Sequence, residues 1–437
     1  MSTFETTKTF LNRNENSKEQ KDVMNIKFEG FVHTKENEDL FEKAYRVDNV
    51  LKSGVLTGNE ALGMISLNRL HSMVRLQEKD GLRHNVIMLG SNSYLNVANN
   101  PKVILEAKKA LEKFGLGMGA VSNYAGICDL HKKLEEKIAK FYNCEDSIVF
   151  PSGYGTNIGV ISALCNSEDV IINDSANHAS IYDGCALSGA KIKVYPHGNM
   201  KYLERILDKI PDSTSGRLII TDGVFSMDGD IAKLDKITKL AQKYKCRVMV
   251  DDAHGIGVVG KTGRGSSEFY NVMDKIDLNV AMLSKAPAGL GGFCAAKKEI
   301  IQYLRLYART YFFSTALNAS TVGGLIEVFN LFEKDKAGRK ELIEKTNYLK
   351  EKLKKAGFIL GNTQSAIIPV MIYDERKLFS LYQELRQEGV YVNIVTYPAV
   401  RRKECRLRLC VMKDLTYHDM DRAVEIIIRK GKKYEII

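Results

Sequence analysis

From Asn85 onward, short apolar runs alternate with segments of helical periodicity. No other feature narrows the fold as much. Strands separated by helices pair in parallel, and a parallel sheet must be covered on both faces. Asn85–Leu89 reads as a strand, and Pro101–Phe114 reads as a helix that opens on proline and stops at Gly115. Asp129–Tyr142 is a second helix, with Leu130, Leu134, Ile138 and Phe141 on one face. Seven candidate buried strands follow: Ser147–Phe150, Val170–Asn173, Lys191–Tyr195, Leu218–Thr221, Arg247–Val250, Asn279–Leu283 and Phe293–Ala296. With their intervening helices they predict a doubly wound, mostly parallel α/β sheet.

After about Leu317 the pattern shifts to a helix-rich stretch. It ends in strands Ala366–Ile372, Val390–Val395 and Arg406–Val411, with helices Lys377–Glu388 and Tyr417–Arg429. This predicts a compact α+β C-terminal domain. The expected division is an N-terminal extension over 1–80, a large domain over 81–320 and a small one over 321–437. The first 25 or so residues are polar and aperiodic, which predicts disorder. A helical spacing of Leu62, Ile65, Leu70 and Val74 predicts a helix over Ala61–Leu76.

Composition removes several classes. No apolar run reaches a membrane span, and the N-terminus lacks the apolar segment of a secretory signal. The eight cysteines are scattered with no C-x-x-C pair, so free thiols in a reducing cytoplasm are expected, with no zinc site. The net charge of +11 attracts polyanions. The basic residues are nevertheless spread along the chain without a nucleic-acid motif, so no nucleic-acid partner is expected. A small anionic substrate, an acidic carrier protein or a membrane surface fits the charge equally well.

Five segments could carry chemistry. In LSKAPAGLGG, Lys285 follows a buried strand and enters a Gly-rich turn. Desolvation there lowers an ammonium pKa, as an imine-forming lysine requires, although an ordinary loop lysine also fits. In CRVMVDDAHGIG, a strand delivers Asp251, Asp252 and His254 to the carboxyl edge of the sheet, where open α/β folds bind ligands. In FPSGYGTN, Gly153, Tyr154 and Gly155 open a helix and offer backbone N–H groups to a phosphate; no GK[ST] follows, so it is not a Walker loop. In NDSANHASIYDG, His178 follows another strand on the same edge. In RLRL, alternation puts Arg406 and Arg408 on one strand face, where a guanidinium offers bidentate binding to a carboxylate.

Together these segments resemble the α-oxoamine synthase family of fold-type I pyridoxal-phosphate enzymes. The resemblance runs from about Asn85 to the C-terminus. It includes SNSYL (91–95), GLGMGAVSNYAG (115–126), DLHKKLEE (129–136), HGNMKYLE (197–204), TDGVFSMDGD (221–230), GRGSSE (263–268) and FFSTAL (312–317). It implies a seven-stranded fold-type I sheet, pyridoxal 5'-phosphate as cofactor and no metal. It also implies a decarboxylating condensation of serine, alanine or glycine with an acyl-CoA or acyl-carrier-protein thioester.

By the same resemblance, Lys285 forms an imine with the cofactor and later moves the Cα proton. Asp251 pairs with the pyridine nitrogen, His254 contacts the ring hydroxyl and His178 stacks on the ring. Gly153 and Tyr154 supply phosphate-binding amides, Ser284 sits beside the lysine and Ser226 near the ring oxygen. Asn92 and Arg408 hold the substrate carboxylate. Ser314 and Thr315 reach the phosphate in the other subunit of a homodimer.

The chain departs from the pattern at Met282 (usually Thr), Asn96 (usually Gly), Asn123 (usually Arg) and Thr396, where oxononanoate synthases carry arginine. These departures point toward lipid or specialised-metabolite synthesis. A catalytically silent subunit of a related heterodimer, or another fold-type I lyase, are the alternatives. Silent subunits typically lose the lysine, and this chain keeps it.

Overall fold

A computed structural model describes residues 38–52, 63–79, 81–397 and 399–437. The expected disorder of the first 25 residues lies outside that range. Among the described residues the chain builds three β-sheets. The central one has seven strands: β4 (Asp146–Phe150), β5 (Val170–Asp174), β6 (Lys191–Tyr195), β7 (Arg217–Asp222), β8 (Arg247–Asp251), β9 (Leu278–Met282) and β10 (Gly292–Ala296). Their order is β4-β10-β9-β8-β7-β5-β6, and β10 alone among them runs antiparallel to its neighbours. All seven expected strands are present, within a residue or two at their ends. The inner strands read as largely apolar runs because helices cover both faces: β5, β9 and β10 are buried at every position, whereas the edge strand β6 is exposed except at Tyr195.

The expected helix over Ala61–Leu76 is not there. Its described part forms β1 (Ile65–Ser66) and β2 (Met73–Gln77). In β2 the buried Val74 and Leu76 flank the exposed Arg75, which is a period of two. Four apolar residues scattered over a dozen positions satisfied a helical spacing without forming a helical face. β2 pairs with β3 (Arg83–Met88), and β3 pairs in parallel with β12 (Val390–Tyr391) from the far end of the chain. A third sheet joins β11 (Ile367–Met371), β13 (Asn393–Val395) and β14 (Arg406–Cys410).

The long helix Ala319–Lys334 packs on the helix Pro101–Phe114. A Cβ at Gly323 would stand 2.8 Å from Ala110 Cβ and 2.9 Å from the Glu106 carbonyl, so only glycine permits that approach. The largest apolar cluster runs from this helix pair, through Phe141, Phe293 and Phe329, to Leu407 and Leu409 of β14. It makes one core of the central sheet and the C-terminal sheet. No helix among the described residues is long and apolar enough to cross a membrane.

Candidate active site

Topology decides where the chemistry gathers. β4, β5, β7, β8 and β9 run parallel, so all five deliver their following loops to one edge. β4 leads through Ser152, whose Oγ caps the helix Gly153–Leu164 by accepting from the Gly155 amide at 2.9 Å. β5 leads to His178, which caps the helix Ala179–Ser188. β7 ends on Asp222 and continues to Ser226. β8 ends on Asp251, followed by Asp252 and His254; β9 ends on Met282, followed by Ser284 and Lys285. These loops enclose a cavity of about 190 Å³ lined by Gly153, Tyr154, His178, Ser226, Asp251, His254, Met282, Ser284 and Lys285. Larger clefts of about 520 and 640 Å³ lie elsewhere, away from the lysine.

Lys285 Nζ lies 2.9 Å from His254 Nε2. Burial lowers the pKa of the ammonium below the ordinary lysine value, opposed by Asp251 and Asp222. Burial also pushes His254 well below the usual imidazole value, and the Lys285 charge adds to that. On its other side His254 Nδ1 lies 2.7 Å from the Tyr94 hydroxyl. His178 is held from behind, its Nδ1 2.7 Å from Ser180 Oγ, and desolvation lowers its pKa as well.

Asp251 accepts from Asn157 Nδ2 at 2.7 Å and from the Ala253 amide at 3.0 Å. Asn157 Nδ2 also donates to Ser180 Oγ at 2.8 Å, so one amide braces both Asp251 and the support of His178. Among the described residues no lysine or arginine forms a salt bridge with Asp251. A buried carboxylate braced by neutral donors, at the wall of a cavity, suits a cationic N–H from a ligand. Asp252 turns away, accepting from the Ser266 amide and hydroxyl, and burial raises its carboxyl pKa to about 7.

The phosphate end fits too. The Gly155 amide is satisfied by Ser152 Oγ and the Thr156 amide by the Ser152 carbonyl. The Gly153 and Tyr154 amides, first in the helix, are the ones left for an anion. Met282, the usual threonine of the family pattern, supplies no hydroxyl here. Its Sδ would lie 2.3 Å from a Cβ on Gly153. Gly153→Ala is therefore expected to push the thioether into the anion cradle. Cofactor affinity should fall about tenfold or more, the worth of one or two lost charge-assisted hydrogen bonds. Equilibrium dialysis of pyridoxal phosphate against the variant checks this.

Arg408 sits behind the cavity rather than on its wall, only 5% exposed. It donates from Nη2 to Asn92 Oδ1 at 3.1 Å, from Nη1 to Cys410 Sγ at 3.0 Å and from Nε to the Ser226 carbonyl. A guanidinium has five N–H groups, so up to two remain for a carboxylate. Arg406 shares the strand face, as the alternation predicts, and bonds Asp228 and the Met227 carbonyl. The two arginines tie the C-terminal sheet to the turn that carries Ser226.

Ser314 and Thr315 are not brought to this cavity within the chain. Ser314 is half-buried, and the exposed Thr315 bridges to Val121. Thr396 is also elsewhere, bonded to Glu375. Four residues of the site were not singled out in the sequence: Tyr94, Asn157, Ser180 and Asp222. They lie in SNSYL, FPSGYGTN, NDSANHASIYDG and TDGVFSMDGD respectively. Asp222 lines the cavity, its Oδ1 is buried without a partner among the described residues, and burial next to Asp251 raises its pKa well above the carboxylate range.

A parallel sheet with one antiparallel strand, and a desolvated lysine facing a braced aspartate and a phosphate cradle, define a pyridoxal-phosphate enzyme of fold type I. Residues 84–427 match the family model for aminotransferase class I and II. The chain is 43% identical over 352 residues to 8-amino-7-oxononanoate synthase of Thermoanaerobacter pseudethanolicus, covering 80% of this chain and 89% of that one. It is 39% identical over 355 residues to 4-hydroxy-2,2'-bipyrrole-5-methanol synthase of Serratia, covering 81% of this chain and 54% of that one. A solved serine palmitoyltransferase of S. paucimobilis with bound PLP superposes with a TM-score of 0.87 at 29% identity, over 92% of this chain and all of the other. The chain belongs to the aminotransferase class I and II family, and within it to the α-oxoamine synthases.

Proposed function

We propose that this enzyme joins serine, alanine or glycine to an acyl thioester, with loss of carbon dioxide, and releases an α-amino ketone. One observation carries the reading. Lys285, Asp251, His254 and His178 converge with an open phosphate cradle on one sheet edge, in a chain of this family. Bound pyridoxal phosphate supplies an electron sink for the pair left at Cα.

The chain's own residues do the rest. The Gly153 and Tyr154 amides would hold the phosphate, with Ser284 beside the lysine. Asp251 would keep the pyridine nitrogen protonated, His178 would lie against the ring, and His254 and Ser226 would hold its oxygen. Asn92 and the spare N–H groups of Arg408 orient the amino-acid carboxylate. Lys285, whose lowered pKa favours the neutral amine, takes the Cα proton. Cα then bonds to the acyl carbonyl carbon and the thiolate leaves. The bond from Cα to the carboxylate breaks, carbon dioxide departs, and Lys285 returns a proton to Cα.

The acyl donor is a coenzyme A or carrier-protein thioester, and the product serves lipid or specialised-metabolite synthesis. The departures at Met282, Asn123 and Thr396 support that placement. The working unit is a homodimer in which Ser314 and Thr315 reach the partner's phosphate. The exposed Phe313, Tyr124 and Leu116 around that segment support a subunit contact. All eight cysteines are free thiols, which supports a cytoplasmic enzyme.

Incubating the holoenzyme with each amino acid and a series of acyl-CoA thioesters tests this. One amino acid is expected to give equal amounts of carbon dioxide and free thiol. Thiol release without carbon dioxide would overturn the condensation in favour of hydrolysis.

A further inference from the structure

The hydroxyl of Tyr94 reaches His254 from 160 residues away in sequence, and Tyr94 itself does not line the cavity. We propose that Tyr94 is a positioning residue: its O–H donates to His254 Nδ1 and so fixes the imidazole tautomer that presents Nε2–H toward Lys285 and the cofactor. The inference rests on the reading of Lys285 and His254 as cofactor residues.

The number of protons decides which acceptor Tyr94 serves. Tyr94 has one proton and, besides the weakly accepting Cys410 Sγ, which already receives Arg408 Nη1 at 3.0 Å, two acceptors within reach, His254 Nδ1 at 2.7 Å and Asn92 Oδ1 at 3.3 Å. Hydroxyl hydrogen bonds cluster near 2.7–2.8 Å and weaken with length. Asn92 Oδ1 already receives Arg408 Nη2 at 3.1 Å, while nothing else reaches Nδ1 among the described residues. The proton therefore goes to the histidine.

A neutral imidazole has one donor and one acceptor nitrogen, so an occupied Nδ1 lone pair leaves the ring proton on Nε2. Both partners stay in these forms. Tyr94 is 1% exposed and His254 5% exposed; burial holds the phenol far above its ordinary pKa and the imidazole far below its own. Nε2 faces Lys285 Nζ at 2.9 Å, and a neutral amine there can accept the proton. The two rings meet edge to face, 6.1 Å between centroids at 66°, so packing and hydrogen bond fix one orientation together.

The consequence concerns the phenolic oxygen of the cofactor. A firm N–H donor stabilises its ionised form, and an imidazole free to swap tautomers does so less. Two measurements test this. In the apo-protein labelled with ¹⁵N-histidine, with the His254 signal assigned by His254→Gln, NMR is expected to show a protonated Nε2 and a bare Nδ1. The reverse tautomer would overturn the proposal. In the holoenzyme without amino acid, Tyr94→Phe keeps the buried ring and is expected to raise the pH midpoint of the visible absorbance band by about one unit. An unchanged midpoint, where His254→Gln moves it, would also overturn the proposal, because a tyrosine that only packs would leave the band in place. A wild-type protein with the expected tautomer but no visible band would sink the cofactor assignment instead. The NMR result does not depend on Tyr94→Phe folding.

Discussion

Lys285→Ala is expected to lower the condensation rate by at least about 10⁴-fold, the upper range for removing a positioned acid–base that is also a covalent anchor. The purified variant should bind pyridoxal phosphate without the visible band that the wild type shows. The site explains why no neighbour substitutes. His254, the closest basic group at 2.9 Å, is held neutral with its pKa well below normal, and in the arrangement inferred above its Nε2 carries the proton. His178 is turned through Nδ1 to Ser180 and is likewise depressed. Asp251 is committed to Asn157 and the Ala253 amide. The cavity thus holds one flexible amine among fixed groups. The variant should still fold, because the neighbouring Ser284 is exposed and Ala286 anchors the turn in the core. An unchanged melting temperature of the apo-protein, alongside the lost activity, separates a chemical role from a structural one. Residual turnover above about one hundredth of wild type would move the proton transfer to another group.

The site was legible in the sequence to the extent that it follows strand ends. A parallel strand that ends in Asp251, or is followed within three residues by Lys285 or Ser284, can only place them at the carboxyl edge. Once five strands are parallel, their loops meet without further information. The same reasoning does not find residues whose role is to brace others. Asn157 sits one turn into a helix, where nothing local distinguishes it from a surface asparagine; its meaning comes from Asp251, 94 residues on. Tyr94 gains its meaning from His254 in the same way. Such contacts are set by how the elements pack, and periodicity carries no trace of them.

Fold errors have the same source. The helix expected over Ala61–Leu76 failed because β2 is short and finds its partner in β3 after a tight turn, while β3 in turn pairs with β12 some 300 residues later. Short strands whose partners lie far along the chain leave few alternating residues to read. The seven central strands were legible for the opposite reason. Inner ones such as β5, β9 and β10 are buried at every position and so read as largely apolar runs, while the exposed edge strand β6 shows as alternation of Lys191 and Lys193 with Ile192 and Val194.

Asp251→Asn tests the electrostatic half of the site, and the rate is expected to fall by about 10³-fold while the fold and the cofactor stay in place. Asparagine matches aspartate in shape and keeps one oxygen to accept from Asn157 or the Ala253 amide. It lacks the charge that favours a protonated pyridine nitrogen, and its NH₂ group would face that nitrogen as a second donor. The nearest carboxyl on the cavity wall, Asp222, does not replace it. Burial and the Asp251 charge raise its pKa well above the carboxylate range, so it is the neutral member of the pair. Removing the Asp251 charge lowers the Asp222 pKa, since repulsion from Asp251 is, after burial, the largest cause that raises it, ahead of Asp174. A change in the pH profile is therefore expected alongside the loss of rate, with an acid limb moved to lower pH. Rate against pH for wild type and variant, each saturated with cofactor, measures both effects at once. Equal rates in the two proteins would place the group that holds the ring nitrogen elsewhere. A lower rate with an unmoved profile would show that Asp222 and Asp251 do not sense each other.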